Sequence, residues 1–240
     1  TLKIDACGLQ CPGPIMKLKN AMDQAQTGER IEVVATDAGF SRDAEAWCQT
    51  TGNSLITKSI QNGYHTVVIE KNDPQGTTPN ATGNSKNKTL IMFSDDLDKA
   101  LATFVLANGA AATGHKVSIF FTFWGLNVIK RERKPKVKKD IFGKMFSWML
   151  PKSSQSLHLS KMSMLGIGDR LMRHIMRKKN ISSLEDLRDQ ERANGVEFIA
   201  CQMSMDMMGI DKNELIDGVS IGGVATYMQR AEDANVNLFI

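Results

Sequence analysis

The sequence predicts an α/β protein in two parts. The first is a two-layer α+β sandwich in the order β-α-β-α-β-β, and the second is a mostly parallel, doubly wound sheet with helices on both faces. Three observations carry this. Short apolar runs alternate with stretches of helical spacing along most of the chain. Residues 70–88, EKNDPQGTTPNATGNSKNK, are rich in Asn, Gly, Thr and Pro and have almost nothing to bury, which is linker composition. At 240 residues the chain is long for one domain, and each part is long enough to bury its own core. We expect a first domain over 1–71, a linker over 72–87 and a second domain over 88–240.

In the first part, residues 2–6 read as a short strand. Pro12 and Pro14 open a helix that runs to about Ala25, with Ile15, Leu18 and Met22 on one face, and Gly28 ends it. IEVVATD (31–37) alternates as a strand does, and Ser41 is the expected cap of a second helix with Trp47 inward. Strands at 54–60 and 64–70 meet at Asn62-Gly63, a strong hairpin signal. In the second part TLIMFS (89–94) is a buried-type strand, Asp95 the expected cap of a helix to about Ala112, and KVSIFFTFW (116–124) the next strand. Helices are expected at 141–150, 162–179, 183–193 and 224–234, with strands at 196–201, 218–223 and 235–240. This alternation is that of a parallel sheet covered on both sides.

Composition narrows the function. The residues are 42% hydrophobic and 23% charged, as in an ordinary globular protein. No stretch approaches the ~20 apolar residues that span a bilayer, and the first ten residues lack the pattern of a signal peptide. Four cysteines (Cys7, Cys11, Cys48, Cys201) without a CxxC pair argue against a disulfide framework and against structural zinc. Free thiols without a signal peptide suit a reducing cytoplasm. Neither GxGxxG nor a P-loop is present, and the four histidines lack metal spacing. No metal and no organic cofactor is expected.

The segment CGLQCPGP singles out Cys11. Pro12 suits the first helical position, where its missing N–H costs nothing. Cys11 is then placed at or beside the N-cap, facing unpaired backbone N–H groups and the positive end of the helix dipole. Both favour thiolate over thiol, and the thiolate is the nucleophile. Cys7, four residues earlier, reads either as a resolving thiol for an oxidised Cys11 or as a plain strand-end residue. Cys48, beside Trp47, reads as core.

DACGLQCPGPIMKLKNAM resembles the signature of the TusA/SirA sulfur carriers, whose hallmark is a Cys-Pro-x-Pro turn. The likeness continues through Val34, Asp37, Arg42, Asp43 and Trp47-Cys48 to TTGN at 50–53. The resemblance implies that Cys11 accepts persulfide sulfur from one protein and passes it to another, with Pro12 and Pro14 framing the turn. It also implies that Asp37, Arg42 and Asp43 lie near the site, although a surface salt bridge explains Arg42 and Asp43 equally well.

Cys201 ends the apolar strand VEFIAC and precedes the Met-rich stretch MSMDMMGI. In an open parallel sheet, ligands bind outside the carboxyl ends of the strands. A cysteine there, leading into a helix, is expected to gain exposure and dipole stabilisation; the competing reading is a buried strand cysteine. TLIMFSDDLDKALATFVLANGAAATGHKVSIFFTFWGLN, CQMSMDMMGI and the tail LIDGVSIGGVATYMQRAEDANVNLFI resemble the larger branch of the DsrE/DsrF-like family. That implies a flavodoxin-like sheet, a homo-oligomer and a sulfur-binding cysteine at position 201. The pairing of both families implies sulfur-donor and sulfur-acceptor partners, such as a rhodanese or a flavin disulfide reductase. A linker of this length would let Cys11 and Cys201 exchange sulfur by thiolate attack on a persulfide.

The run KRERKPKVKKD (130–140) carries seven basic residues, and the apolar IFGKMFSWMLP follows it. Together 130–151 read as a solvated loop with an interface helix, or as a contact with a membrane surface. The expected function is a cytoplasmic sulfur relay carrying persulfide on Cys11 and Cys201, membrane-associated if 130–151 binds lipid. The alternatives are a thiol–disulfide or peroxide redox protein using Cys7 and Cys11, and a non-catalytic adaptor to membrane or nucleic acid. Nucleic acid is not an expected partner.

Overall fold

The structure is a computed structural model that describes residues 1–10, 12–72, 87–132, 137, 145 and 148–240. Its contacts divide the chain into two compact units.

The first unit runs β1 (Leu2–Ala6), α1 (Gly13–Gln24), β2 (Arg30–Ala35), α2 (Phe40–Thr51), β3 (Ser54–Gln61) and β4 (Tyr64–Glu70). The sheet order is β1-β2-β4-β3, with β1 parallel to β2 and the other pairs antiparallel. Alternation along β2 turns Ile31, Val33 and Ala35 inward, where they meet Val67 and Ile69 of β4. Leu18 and Met22 of α1, with Phe40, Ala44 and Trp47 of α2, bury that face. The hairpin β3–β4 closes where expected: Asn62 and Gly63 both adopt left-handed backbone (φ 51° and 79°), which a tight two-residue turn requires. Cys48 is core, as its position beside Trp47 suggests, and burial pushes its thiol up to about 11.

Two local expectations shift. Pro12 is the N-cap of α1 and not its first helical residue; Gly13 takes that place and Pro14 follows within the first turn. The second proline still costs no hydrogen bond there. Ser41 does not cap α2. Gly39 is the N-cap, and Ser41 lies one residue inside the helix, buried, with its hydroxyl 2.9 Å from His65 Nδ1 on β4. A tertiary partner has outcompeted the local cap.

The second unit runs β5 (Asn87–Met92), α3 (Leu97–Ala112), β6 (Val117–Phe121), α4 (Ile167–Lys178), α5 (Leu184–Ala193), β7 (Glu197–Cys201), α6 (Gln202–Met208), β8 (Val219–Gly222), α7 (Val224–Glu232) and β9 (Ala234–Phe239), except that Ala112 at the end of α3 and the last turn of α4 from Ile175 belong to the first unit. The sheet order is β8-β7-β6-β5-β9, and every neighbouring pair is parallel. Side-chain parity sorts the two faces. Leu90, Met92, Ile119, Phe121, Phe198 and Ala200 face α3, α5 and α6, with Phe104 of α3 stacked on Phe198. Phe120, Ile199 and Cys201 point to the other face, where Tyr227 of α7 covers them.

Here too the ends of elements move. Helix α3 begins at Leu97, so Asp95 is not its cap. The Asp95 carboxylate accepts from Asn127 Nδ2 at 2.8 Å, and burial raises its pKa. The helix expected over 162–179 shortens to Ile167–Lys178, because Met162, Met164 and Leu165 take positive φ in a tight turn before it. The basic run does not begin as a solvated loop: Lys130 is buried and bridged to Leu215, and Arg131 pairs with Asp217. Residues 133–136 and 138–140 of that run lie outside the described residues. So does most of the helix expected over 141–150, although Met145, Trp148 and Met149 are exposed. No helix among the described residues is long and apolar enough to cross a membrane.

Candidate functional site

In the first unit the carboxyl ends of parallel β1 and β2 lie side by side, so the loops that follow them meet. Gly8, with φ 76°, bends the chain after β1 and donates its N–H to Thr36 Oγ1 at 2.8 Å. Leu9 N donates to Ala6 O, and Gly13 N to Gln10 O at 2.8 Å. Cys11 lies outside the described residues; these bonds hold the residues that flank it, Gln10 and Pro12, at the start of α1.

Cys7 sits at the same edge. Its backbone N–H donates to Asp5 Oδ1 at 2.8 Å and its thiol lies 3.8 Å from Val34 O. The Asp5 carboxylate, hydrogen-bonded to Cys7, holds this thiol above its ordinary pKa, and the same bonds lower the pKa of Asp5. A thiol held protonated is a slow partner for disulfide exchange at neutral pH, which weighs against Cys7 as a resolving thiol. Asp5→Asn is expected to lower the Cys7 pKa and to raise its alkylation by iodoacetamide several-fold at neutral pH, read by peptide mass. An unchanged rate would show that the carboxylate is not the cause.

Asp37 and Asp43 converge on the start of α2. Asp37 Oδ1 accepts from Gly39 N at 2.9 Å, and a Cβ placed on Gly39 would stand 3.4 Å from Asp37 Oδ1 and 3.8 Å from Asp43 Oδ2. Burial, then the Asp37 charge, raises the pKa of Asp43. Arg42 is exposed and makes no ion pair with another described residue, so the surface salt bridge with Asp43 is absent among them. Sequence reasoning missed Ser41 and His65, a buried pair that fixes the start of α2 against β4. Nothing in the spacing of residues 41 and 65 signals it; the pairing of β2 with β4 creates it.

In the second unit Cys201 is both the last residue of β7 and the N-cap of α6. The strand-end and helix-start parts of the expectation hold. The expected exposure does not: 6% of Cys201 is open to solvent, because β7 turns it to the face that Phe120, Ile199 and Tyr227 close. Its neighbours on α6, Met203 and Met207, are exposed. At the adjoining strand end Thr122 Oγ1 and Ser204 Oγ meet at 2.8 Å and tie the β6 and β7 termini together. Of the histidines, His158 has its Nδ1 2.5 Å from Asp169 Oδ2 and serves the turn before α4. No cluster of metal-ligating side chains exists among the described residues.

Residues 84–239 match the family model described as DsrE/DsrF/DrsH-like. The chain belongs to that family. Residues 2–71 match a second model, Sulfurtransferase TusA, so a TusA-type unit precedes the DsrE-type unit on one chain. Among curated relatives, the "Uncharacterized protein YrkE" of Bacillus subtilis is 42% identical over 66% of this chain and 99% of its own. The "Sulfur carrier protein DsrE2" of Allochromatium vinosum is 34% identical over 65% of this chain and 98% of its own. The "Sulfur carrier protein TusA" of the same organism is 35% identical over 29% of this chain and 91% of its own. The likeness to TusA/SirA and DsrE-type proteins that the sequence motifs carry is thus met over both units of this DsrE-type chain.

Proposed function

We propose that this DsrE-type chain is a sulfur relay that carries sulfane sulfur as a persulfide on Cys11 of its TusA-type unit and exchanges it with Cys201. The observation that carries the reading is the placement of Cys201: the one cysteine of residues 87–240 stands at the junction of β7 and α6, at the carboxyl edge of a parallel sheet. Two relatives named sulfur carriers support it, as do the separate family models matched over residues 2–71 and 84–239. In the transfer, the receiving thiolate attacks the outer sulfur of a donor persulfide. A new S–S bond forms, the old one breaks, and the donor leaves as thiolate, so no net oxidation or reduction occurs. Sulfur-donor and sulfur-acceptor proteins are the partners this chemistry requires, and a rhodanese or flavin disulfide reductase would supply the donor.

The test is adduct mapping on the whole chain. After incubation with a low-molecular-weight persulfide donor, mass spectrometry is expected to find about +32 Da, one sulfur atom, on the Cys11 peptide. Cys11→Ser should abolish that adduct, and Cys201→Ser should leave loading intact while lowering onward transfer. Loading that survives Cys11→Ser overturns the reading, as does a Cys7–Cys11 disulfide formed in place of the adduct.

A further inference from the structure

Outside the cysteine sites, the segment from Met162 to Lys178 presents an unusual surface. Side chains that proteins ordinarily bury stand open: Met162 is 78% exposed, Met164 70%, Leu165 105%, Ile167 68% and Leu171 57%. The turn that carries the first three is built from beneath. Buried Asp169 accepts from Leu159 N at 2.8 Å, from Ser163 Oγ at 2.9 Å and from His158 Nδ1. Gly168 N donates to Ser163 O at 3.0 Å, and a Cβ on Gly168 would collide with the Met162 carbonyl. These bonds hold Met162, Met164 and Leu165 in left-handed backbone, φ 64°, 45° and 58°, and the tip projects apolar side chains into water.

Helix α4 continues the pattern. Asp169 faces inward, 6% exposed, which settles the outward side. Ile167, Leu171 and Ile175 recur four residues apart in one outward row. Arg170, His174 and Arg177, all exposed, form the row beside it. Residues 161–179 hold six Lys/Arg against one acid, Asp169, which is turned inward. Of those six, Arg173 is occupied by Ser154 O and Glu185.

An apolar row beside a basic row on the free side of a helix, with an apolar tip at one end, is the pattern of a helix lying in a lipid interface. We propose that Met162–Lys178 docks this protein on an anionic bilayer surface. The tip and the Ile167–Leu171 row enter the acyl boundary while Arg170 and Arg177 meet head-group phosphates. The apolar side chains are strung along an exposed tip and one row of a helix, and the flanking charge has one sign. Both suit a laterally uniform negative surface better than one shaped protein partner. The inference is independent of the sulfur reading and says where such a relay would work.

Co-sedimentation of the full chain with phosphatidylcholine vesicles, with and without about one-third phosphatidylglycerol, tests it. The wild-type chain is expected to pellet with the anionic vesicles about tenfold more than with the neutral ones, and less at high salt. The double variant Leu165→Glu/Leu171→Glu, at exposed positions and checked for fold by circular dichroism, should lose about tenfold in bound fraction. Arg170→Glu/Arg177→Glu should lose a similar amount, whereas Lys136→Glu/Lys138→Glu/Lys139→Glu in the other basic run should retain most binding. The inference is overturned by wild-type protein that pellets with neither vesicle, by full binding of the Leu165/Leu171 variant, or by loss confined to the 136–139 variant. Capture by an acidic polypeptide without vesicle binding overturns it too.

Discussion

Replacing Gly125 by alanine is expected to destabilise the second unit by about 3 kcal/mol or more, an effect at the top of the range for a single added methyl. Gly125 is buried just after β6 and donates its N–H to Phe93 O at 2.8 Å and to Thr122 O at 3.0 Å. A Cβ there would stand 2.6 Å from the Met92 carbonyl carbon and closer still to its oxygen. Both are backbone atoms of β5, which is paired with β6 on one side and β9 on the other, so β5 cannot retreat without breaking a ladder. The clash therefore has no flexible side chain to absorb it. Gly109→Ala, in the last turn of α3 with no atom within 4 Å of the new Cβ, should raise stability by up to about 0.5–1 kcal/mol through helix propensity. Urea midpoints of the two variants should move in opposite directions; equal midpoints would mean that the edge joining β5 to β6 yields more easily than its pairing implies. That edge also carries Thr122, whose hydroxyl meets Ser204 of α6, three residues after Cys201. A displaced Gly125 should thus be felt at the sulfur site as well as in the core.

The elements were legible because each carries its own local code. IEVVA alternates, Asn62-Gly63 can close one kind of turn, and CPGP marks a helix start to within one residue. What remained hidden depended on partners far along the chain. The strand EFIAC is apolar at four consecutive positions, so its composition does not tell which face is closed and which is open. Tyr227, on a helix three elements later, decides it, and Cys201 consequently lies under cover at 6% exposure. Asp37 and Asp43 looked like a site because of the motif that surrounds them. Their mutual repulsion, which with burial raises the pKa of Asp43, follows from the bend at Gly39. The tip at Met162–Leu165 falls within the helix expected over 162–179, and Met and Leu are good helix formers. Asp169 and Gly168 pull the chain into left-handed turns there, and both act through contacts with Leu159, Met162 and Ser163 that lie more than one helical turn away.

Glu191 is the clearest case of a residue whose sequence context misleads, and it leads to the second large effect. LEDLRDQERA reads as a solvated charged helix, yet Glu191 is 0% exposed and packs its carboxyl beside Asn108 of α3. Asn108 Nδ2 reaches Glu191 Oε1 at 3.3 Å while also donating to Phe104 O and Leu187 O, and Glu191 Oε2 has no hydrogen-bond partner among the described residues. No cation among the described residues pairs with it, and burial raises the Glu191 pKa well above the ordinary 4.5. The folded state therefore binds its proton more tightly than the unfolded chain does. Its contribution to stability is complete below about pH 4.5, shrinks as the unfolded chain ionises above that, and is gone once pH passes the folded pKa. Between those limits the loss reaches at most about 1.4 kcal/mol per pH unit, the slope for one proton. Glu191→Gln keeps the shape and removes the titration. Its urea midpoint should stay flat from mildly acid to mildly alkaline pH, where the wild-type midpoint falls, and the two curves should diverge with the variant the more stable at the alkaline end. Parallel curves would place the pH dependence elsewhere and would mean that water or a local shift solvates the carboxylate between α3 and α5. The same packing links Asn108 to Phe104, which is stacked on Phe198 of the strand that ends in Cys201. Ionising Glu191 should therefore loosen the helix layer that backs the sulfur-carrying edge before the unit as a whole unfolds.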